Sequence, residues 1–318
     1  MLTVLFTTHN GIRTLRPVLD AYLALQTPQG GWKLVIVDNA STDGSADIVA
    51  AYRGRLPLIL LSEEKLGKNA ALNAGLAHVE GDLVVLTDDD ALPRSDWLVN
   101  IRSAADSHSA YSIFGGVVLP HWEITPPDWI LKWVPLGPVF TLTPPSMRDE
   151  PMDPSLVFGP NMAVRTKVFE DGFRFDSTIG PQGKNYAMGS ETEFVRRLAR
   201  HGHRAWHISN AVVEHWIRDF QMTRSWILGR AIRFGRGAYR LRRLEQQAQM
   251  PSWFGVPRYL FRETLRQAAL LSKALLISSG ERAFRARWEL NVLRGQITEA
   301  YAAHEHALIT SRPRRNAV

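Results

Sequence analysis

Short apolar runs and amphipathic stretches alternate along the first ninety residues. "LTVLFTTHN" predicts a strand running into a polar turn, and "GIRTLRPVLDAYLAL" predicts a helix with Ile12, Leu15, Leu19 and Leu23 on one side. "WKLVIVDNASTDGS" predicts a second buried strand ending at Asp38, with a helix entered through Ser, Thr and Asp. "PLILLSEE" reads as a third strand, "LGKNAALNAGLAHVEG" as an Ala-rich helix closed by Gly81, and "DLVVLTDDD" as a fourth strand. This order predicts an α/β fold, a mostly parallel Rossmann-like sheet with helices on both faces. Ligands of such sheets bind outside the carboxyl ends of the strands. The polar clusters Thr7–Asn10, Asp38–Ser41 and Asp88–Asp90 all end strands, so they are expected to meet at one crevice.

Farther on, "SDWLVNIRSAADSH" predicts a helix and "YSIFGGVVLP" a strand. Residues 120–160, rich in Pro and Trp, read as an excursion over the active face. Regular structure resumes with "NMAVRTKVFEDG". The Gly-rich "GPQGKNYAMG" reads as a lid or a surface loop, "SETEFVRRLARHGH" as a helix with Ser190 as its N-cap, and "RAWHISNAVVEHWI" as a late strand. From about residue 218 the pattern is helical and Arg-rich. Two domains are expected: 1–217 for binding and catalysis, and 218–318 as a basic amphipathic helical extension.

Composition changes this picture in two places. Cysteine is absent, which excludes disulfides and thiolate metal sites and is compatible with a reducing compartment. The net charge of +7 is unevenly spread: residues 1–217 hold 19 Lys+Arg against 24 Asp+Glu, and residues 218–318 hold 19 against 7. Such segregation suggests an acidic partner for the C-terminal third. "RSWILGRAIRFGRGAYRLRR" and "YLFRETLRQAALLSKALLISSGERAFRARWELNVL" mix cations with apolar groups, which suits either an anionic membrane surface or helices packed on the catalytic domain. No nucleic-acid-binding module is recognisable. No apolar run reaches the roughly 18 residues of a spanning helix, and "MLTVLFTTHNG" lacks the basic start of a signal peptide. The expected location is cytoplasmic, peripheral at most to the inner face of the cell membrane.

The densest chemistry is Asp88, Asp89 and Asp90 at the end of a buried strand. Adjacent carboxylates repel, and a hard divalent cation with phosphate co-ligands would relieve them; a solvated turn with helix-capping carboxylates is the structural alternative. Asp38 could accept from a nucleobase imide N–H or cap the helix after it.

The ordered set "VLFTTHNG", "LVIVDNASTDGS", "LGKNAALNAGLAHVEGDLVVLTDDDALP", "FGPNMAVR", "GSETEFVRRLARHGH" and "VVEHWI" resembles family 2 glycosyltransferases of the GT-A fold, over about residues 1–240. The resemblance implies nucleotide-sugar contacts at Thr8, Asn10, Asp38, Asn39, Ser41, Lys68, Asn69, Asn73, Asp88 and Asp89. It implies an Mg²⁺ or Mn²⁺ ion at Asp88, Asp90 and His215, and an acceptor pocket near Asn161. The usual Gly-Glu-Asp of the family is "GSET" here, so Glu191 falls at the general-base position with a side chain one methylene longer. Glu193, two residues on, would point about 200° away on a helix. The implied reaction is inverting transfer of a sugar from a nucleotide diphosphate, uracil being the usual base, to a saccharide or lipid-linked acceptor. A nucleotidyltransferase and an inactive sugar- or membrane-binding relative are the alternatives. Trp122, Trp129 and Trp133 could offer flat faces to an acceptor sugar or serve as core mass, the last pair sharing one helix face.

Overall fold

The computed structural model describes residues 1–181, 183, 186–245 and 250–310. In chain order the elements are β1 (Leu2–Thr8), α1 (Ile12–Leu23), β2 (Trp32–Asp38), α2 (Ser45–Ala50), β3 (Leu58–Ser62), α3 (Lys68–Gly75), β4 (Leu83–Leu86), β5 (Ala91–Pro93), α4 (Trp97–Ser107) and β6 (Ile113–Trp122). They continue with α5 (Asp128–Trp133), α6 (Leu136–Phe140), β7 (Pro151–Met152), β8 (Met162–Arg165), α7 (Thr166–Glu170), α8 (Ser190–Arg200), β9 (Ala205–Ile217), α9 (Arg224–Glu245), β10 (Ser252–Trp253), β11 (Val256–Pro257), α10 (Arg258–Leu276) and α11 (Gly280–Thr310). The chain divides into two compact units. The first holds 1–125, 136–184 and 190–219; the second holds 126–135, 185–189 and 220–318.

The first unit is built on one sheet with strand order β3-β2-β1-β4-β8-β6-β9-β5, with β7 added beside β9. Strands β3, β2, β1 and β4 are parallel, with Thr8 opposite Asp38 and Asp38 opposite Ser62. Their carboxyl ends therefore share one edge. Beyond β4 the sheet is mixed: β8 runs antiparallel to β4 and β6, while β6 and β9 are parallel. Alternation along β1 divides the core. Leu5 joins Val35, Val37, Leu72, Phe194 and Leu198 on the face covered by α3, α7 and α8. Phe6 instead meets Tyr22 of α1, whose ring sits edge-on to Trp97 of α4. In α1 the inward stripe is Leu15, Val18, Leu19 and Tyr22; Ile12 and Leu23 are exposed. The sequence places those two on the apolar side, but a helix of this length has room for only one stripe, and Tyr22 fills the space against Phe6.

The second unit is helical. Glycines let α9 and α11 approach closely: a Cβ on Gly235 would lie 2.0 Å from the Val292 carbonyl oxygen, and one on Gly295 would lie 2.1 Å from that of Ile232. Val256, Leu260, Leu293 and Ala300 form a small core among β11, α10 and α11. Trp129 and Trp133 of α5 pack with Phe284, with the Arg224 guanidinium over both rings. This pair is thus interior mass of the second unit. Trp122 packs edge-on to Phe140. No helix among the described residues is long and apolar enough to cross a membrane. The expected lid over 180–189 includes residues 182, 184 and 185, which lie outside the described residues.

Candidate active site

Three strand ends and one helix start bring the candidate residues together. After β4, Thr87 donates its hydroxyl to the Pro160 carbonyl, and the chain then turns through Asp88, Asp89 and Asp90. The Lys68 ammonium, at the first turn of α3, bridges Asp88 Oδ1 at 2.5 Å and Glu191 Oε1 at 2.7 Å. Glu191 stands in the first turn of α8, and its other oxygen accepts from the Ser190 hydroxyl at 2.6 Å. Carboxylates from positions 88 and 191 therefore face one cation across the crevice.

The glycines around these groups are a matter of space. A Cβ on Gly159 would lie 2.7 Å from Glu191 Oε1, and one on Gly11 would lie 2.4 Å from Asp89 Oδ2. Neither position admits a side chain without displacing a carboxylate.

Burial and neighbouring charge set the protonation states. Burial opposes ionisation of Glu191, yet the Lys68 charge and hydrogen bond, helped by Ser190, bring its pKa down to about 2. Burial likewise acts to lower Lys68, but Asp88 and Glu191 outweigh it and raise the ammonium well above its ordinary value. Asp89 is pushed up to about 7 by burial and by the charge of Asp90, despite the Thr8 hydroxyl donating to it at 2.6 Å. Burial, reinforced by Asp90 and Glu191, also raises Asp88 against the pull of Lys68. Asp90 resists burial because His215, Arg218 and Lys68 hold it low. His215 is raised in turn: burial would lower it, but Asp90 prevails.

Asp38 ends β2 almost wholly buried, and its Oδ1 has no hydrogen-bond partner. With β1 between β2 and β4, it stands two strand spacings from the triple aspartate, roughly 10 Å. Asn10, in the left-handed region at φ 54°, ties the turn after β1 to the turn after β2. Its N–H donates to Ser41 Oγ, and its side-chain oxygen accepts from the Thr42 N–H.

Four predicted contact residues donate their amide NH2 groups to backbone carbonyls inside the protein. Asn39 donates to the Glu63 and Lys65 carbonyls and accepts from the Gly67 N–H. Asn69 donates to the Asp176 and Ile179 carbonyls, and Asn73 makes a two-way bond with the Phe175 backbone. Asn161 is 1 % exposed; it donates to the Val117 and Ala211 carbonyls and accepts from Trp97 Nε1 at 2.9 Å. Asn161, expected near an acceptor, has its side chain fastening β6 and β9, in space that Gly116 leaves free. Asn39 and Asn73 are thus held at both ends of their amides, while the buried Oδ1 of Asn69, like that of Asp38, has no hydrogen-bond partner. Glu193 is buried against Arg197, with bonds of 2.8 and 3.0 Å, and takes no part in the Lys68 cluster.

The donor set fits a hard divalent cation of one kind. His215 Nδ1 lies 2.7 Å from the Phe140 carbonyl, which can only accept, so that nitrogen carries the hydrogen. Nε2 is then the nitrogen facing Asp90, at 3.5 Å from Oδ1. A backbone carbonyl holding Nδ1–H is the usual support of a metal-binding imidazole. The crowding that lifts Asp89 is what added positive charge would relieve. Among the described residues, however, no group of three or more His, Asp and Glu is gathered as a ready cage. The residues thus suit an Mg²⁺ or Mn²⁺ that takes most of its ligands from phosphate and water. A separate hollow of about 520 Å³, beside Met1, Asp82, Arg165 and Lys167, lies at the opposite edge of the sheet.

Comparison with known proteins agrees with this architecture. The profile of the family described as "Glycosyl transferase family 2" matches residues 3–173, more than half of the chain. The chain is 35 % identical over 96 residues to dolichyl-phosphate beta-glucosyltransferase ALG5C of Trichomonas vaginalis, a match covering 28 % of each protein. It is 22 % identical over 288 residues to glycosyltransferase AglE of Haloferax volcanii, covering 86 % of this chain and 88 % of that one. Mannosyltransferase PcManGT from Pyrobaculum calidifontis, solved with GDP-Man and Mn²⁺, superposes with a TM-score of 0.63 at 20 % identity, over 95 % of this chain and 87 % of that one. The fold is GT-A with C-terminal helices, and the chain belongs to glycosyltransferase family 2.

Proposed function

We propose that the crevice binds a nucleotide-diphosphate sugar, most simply a UDP-sugar, and transfers the sugar with inversion to a hydroxyl of a saccharide or lipid-linked acceptor, the latter reached at a membrane surface. One observation carries this: a partnerless buried carboxylate at Asp38, the triple aspartate and Glu191 line a single edge, the last two joined through Lys68. The span from Asp38 to Asp88 suits a base at one end and a diphosphate at the other. Asp38 Oδ1 supplies the acceptor that a uracil imide N–H needs. Asp90 and His215 would hold the divalent ion, with Asp88 beside it; when bound, such an ion supplies charge stabilisation of the departing diphosphate.

The acceptor oxygen attacks the anomeric carbon, the bond from that carbon to the phosphate oxygen breaks, and the nucleoside diphosphate leaves with the electron pair. Glu191 takes the acceptor hydroxyl proton. A single displacement of this kind inverts the anomeric centre. A base works best with a pKa near the working pH, and Lys68 holds Glu191 far below it in the free protein. The diphosphate competes for the Lys68 ammonium. Drawing Lys68 toward phosphate releases Glu191 and raises its basicity only when donor is bound. The geometry thereby discourages proton abstraction in an empty site.

A thermal-shift screen of nucleotide sugars with Mn²⁺, followed by assays of diphosphate release and sugar transfer, tests the proposal. Stabilisation by one donor and an inverted product support it. Failure of every uridine and guanosine sugar to stabilise the fold or turn over would defeat it. Tight donor binding without turnover would favour an inactive relative.

A further inference from the structure

The two cationic stretches of the second unit have different fates in the fold. Helix α9 is spent on packing: Arg236 and Arg240 both bind Glu299 of α11, and Arg224 lies over Trp129 and Trp133. Helix α10 buries Leu260, Gln267 and Ala274 and turns its opposite face outward. Along that face Arg258, Arg262, Leu265, Ala269, Lys273 and Leu276 follow one another at three- and four-residue steps, so they form a single stripe. Leu265 and Leu276 are 73 % and 85 % exposed, and Leu275 and Ile277 extend the patch at its end. Glu263 is the only acid in the helix, and it is occupied by Arg266 and Gln267.

The hairpin of β10 and β11 adds to the amino end of this stripe. Trp253 packs on Phe261 of α10 and carries the Arg258 guanidinium over its ring. Its turn residues, Phe254 and Gly255, have φ of 49° and 76°. Two positive values mark a turn that prefers Asn-Gly. A phenylalanine there is strained, and this one is 84 % exposed, so its ring buries little among the described residues to offset the strain.

We propose that this stripe is a docking surface for an anionic lipid bilayer, with Phe254, Leu265 and Leu276 entering the headgroup region and Arg258, Arg262 and Lys273 meeting lipid phosphates. Charge complementarity selects this occupant: apolar groups interleaved with cations, with a single neutralised acid, match the boundary of an anionic membrane. The proposal rests on the lipid-linked reading of the acceptor only for its use; the surface itself is independent of the catalytic crevice.

Co-sedimentation of the full chain with vesicles of phosphatidylcholine alone, or containing about 30 % phosphatidylglycerol, tests it at about 0.1 M salt, where surface charge is only partly screened. The chain should bind the anionic vesicles and not the neutral ones. Phe254→Asn restores the preferred turn pair, so it should keep or raise the melting temperature while weakening vesicle binding about tenfold. Arg262→Ser with Lys273→Ser should weaken it about fivefold per charge removed. Leu265→Glu with Leu276→Glu should abolish it. Donor-sugar hydrolysis in solution should stay at the wild-type level in all three, which separates failure here from failure of the catalytic proposal. Equal binding to neutral vesicles, no binding to anionic ones, or wild-type binding by Phe254→Asn would overturn the docking surface. So would a self-association that Leu265→Glu dissolves, since the occupant would then be a second copy.

Discussion

Replacing Lys68 by methionine isolates the link between the two halves of the crevice. The substitution keeps the apolar stem of the side chain as far as its fourth atom and deletes a cation shared by Asp88 and Glu191, at 2.5 and 2.7 Å. The Lys68 side chain is 18 % exposed, and those of its partners are 23 % and 20 % exposed. Stranding a fully buried ion-pair partner costs about 3–5 kcal/mol, and the residual exposure reduces this to about 2–4 kcal/mol. The lowering of Glu191 to about 2, against its burial, points the same way. The sign follows from linkage. A carboxylate whose folded pKa lies below its unfolded one stabilises fully above the unfolded value and loses that contribution as pH falls through the folded value. In Lys68→Met both carboxylates lose their cation, their folded pKa values rise, and protonation relieves them. The deficit of the variant should therefore be greatest at pH 7–8 and shrink below about pH 5. Urea denaturation in EDTA across that range measures it, with Lys68→Arg as the charge-retaining control. A deficit below about 0.5 kcal/mol, or one that does not change with pH, would refute the bridging role.

Asn161→Ala would remove the amide that bonds the Val117 and Ala211 carbonyls and Trp97 Nε1. It should cost about 3–5 kcal/mol in denaturation while leaving acceptor KM unchanged where the protein is folded; the reverse result would support an acceptor role. Asp89, with its folded pKa pushed up to about 7, binds a proton in the folded state that the unfolded chain has released, so wild-type stability should fall as pH rises from about 4 to 7. Asp89→Asn should flatten that slope in EDTA, as read by melting temperature against pH. Gly159→Ala, forced against the Glu191 carboxylate, should lower transfer about tenfold or more with donor affinity little changed, because misplacing a reacting group by about an ångström is costly.

How far the sequence reveals these features depends on the range of the interactions. The strands and their polar ends are local patterns of period two closed by turn residues, so the shared edge of β1, β2 and β4 was legible. The direction of β8 was not, because antiparallel insertion depends on a partner more than seventy residues away. The segments β5, β7 and the β10–β11 hairpin are two or three residues long and carry no periodicity. Asp38, Asp88 and Glu191 could be nominated because carboxylates at strand and helix ends are chemically conspicuous. The amides of Asn69, Asn73 and Asn161 look equally conspicuous, yet each donates its NH2 to backbone 44 to 110 residues distant. The Lys68 bridge spans 123 residues to Glu191 and has no local signature. Gly11 and Gly159 could have been flagged as close-approach positions within "HNGI" and "FGPN", but what approaches them is visible only in three dimensions. In the C-terminal third, composition marked both α9 and α10 as cationic and amphipathic; only packing separates the helix that spends its arginines on Glu299 from the one that keeps them outward.

The most direct measurement is the rate of sugar transfer by Glu191→Gln, taken alongside donor affinity by calorimetry and with Glu193→Gln as the control. The amide oxygen can still accept from Lys68, and the amide NH2 can donate to the Ser190 hydroxyl oxygen where the carboxylate accepted, so the site should stay assembled. Donor affinity should remain within a few-fold of wild type while transfer falls about 10²–10⁴-fold, the usual contribution of a general base, and Glu193→Gln should lose stability rather than rate. Wild-type transfer by Glu191→Gln would contradict the assignment of the base and, with it, the proposed mechanism.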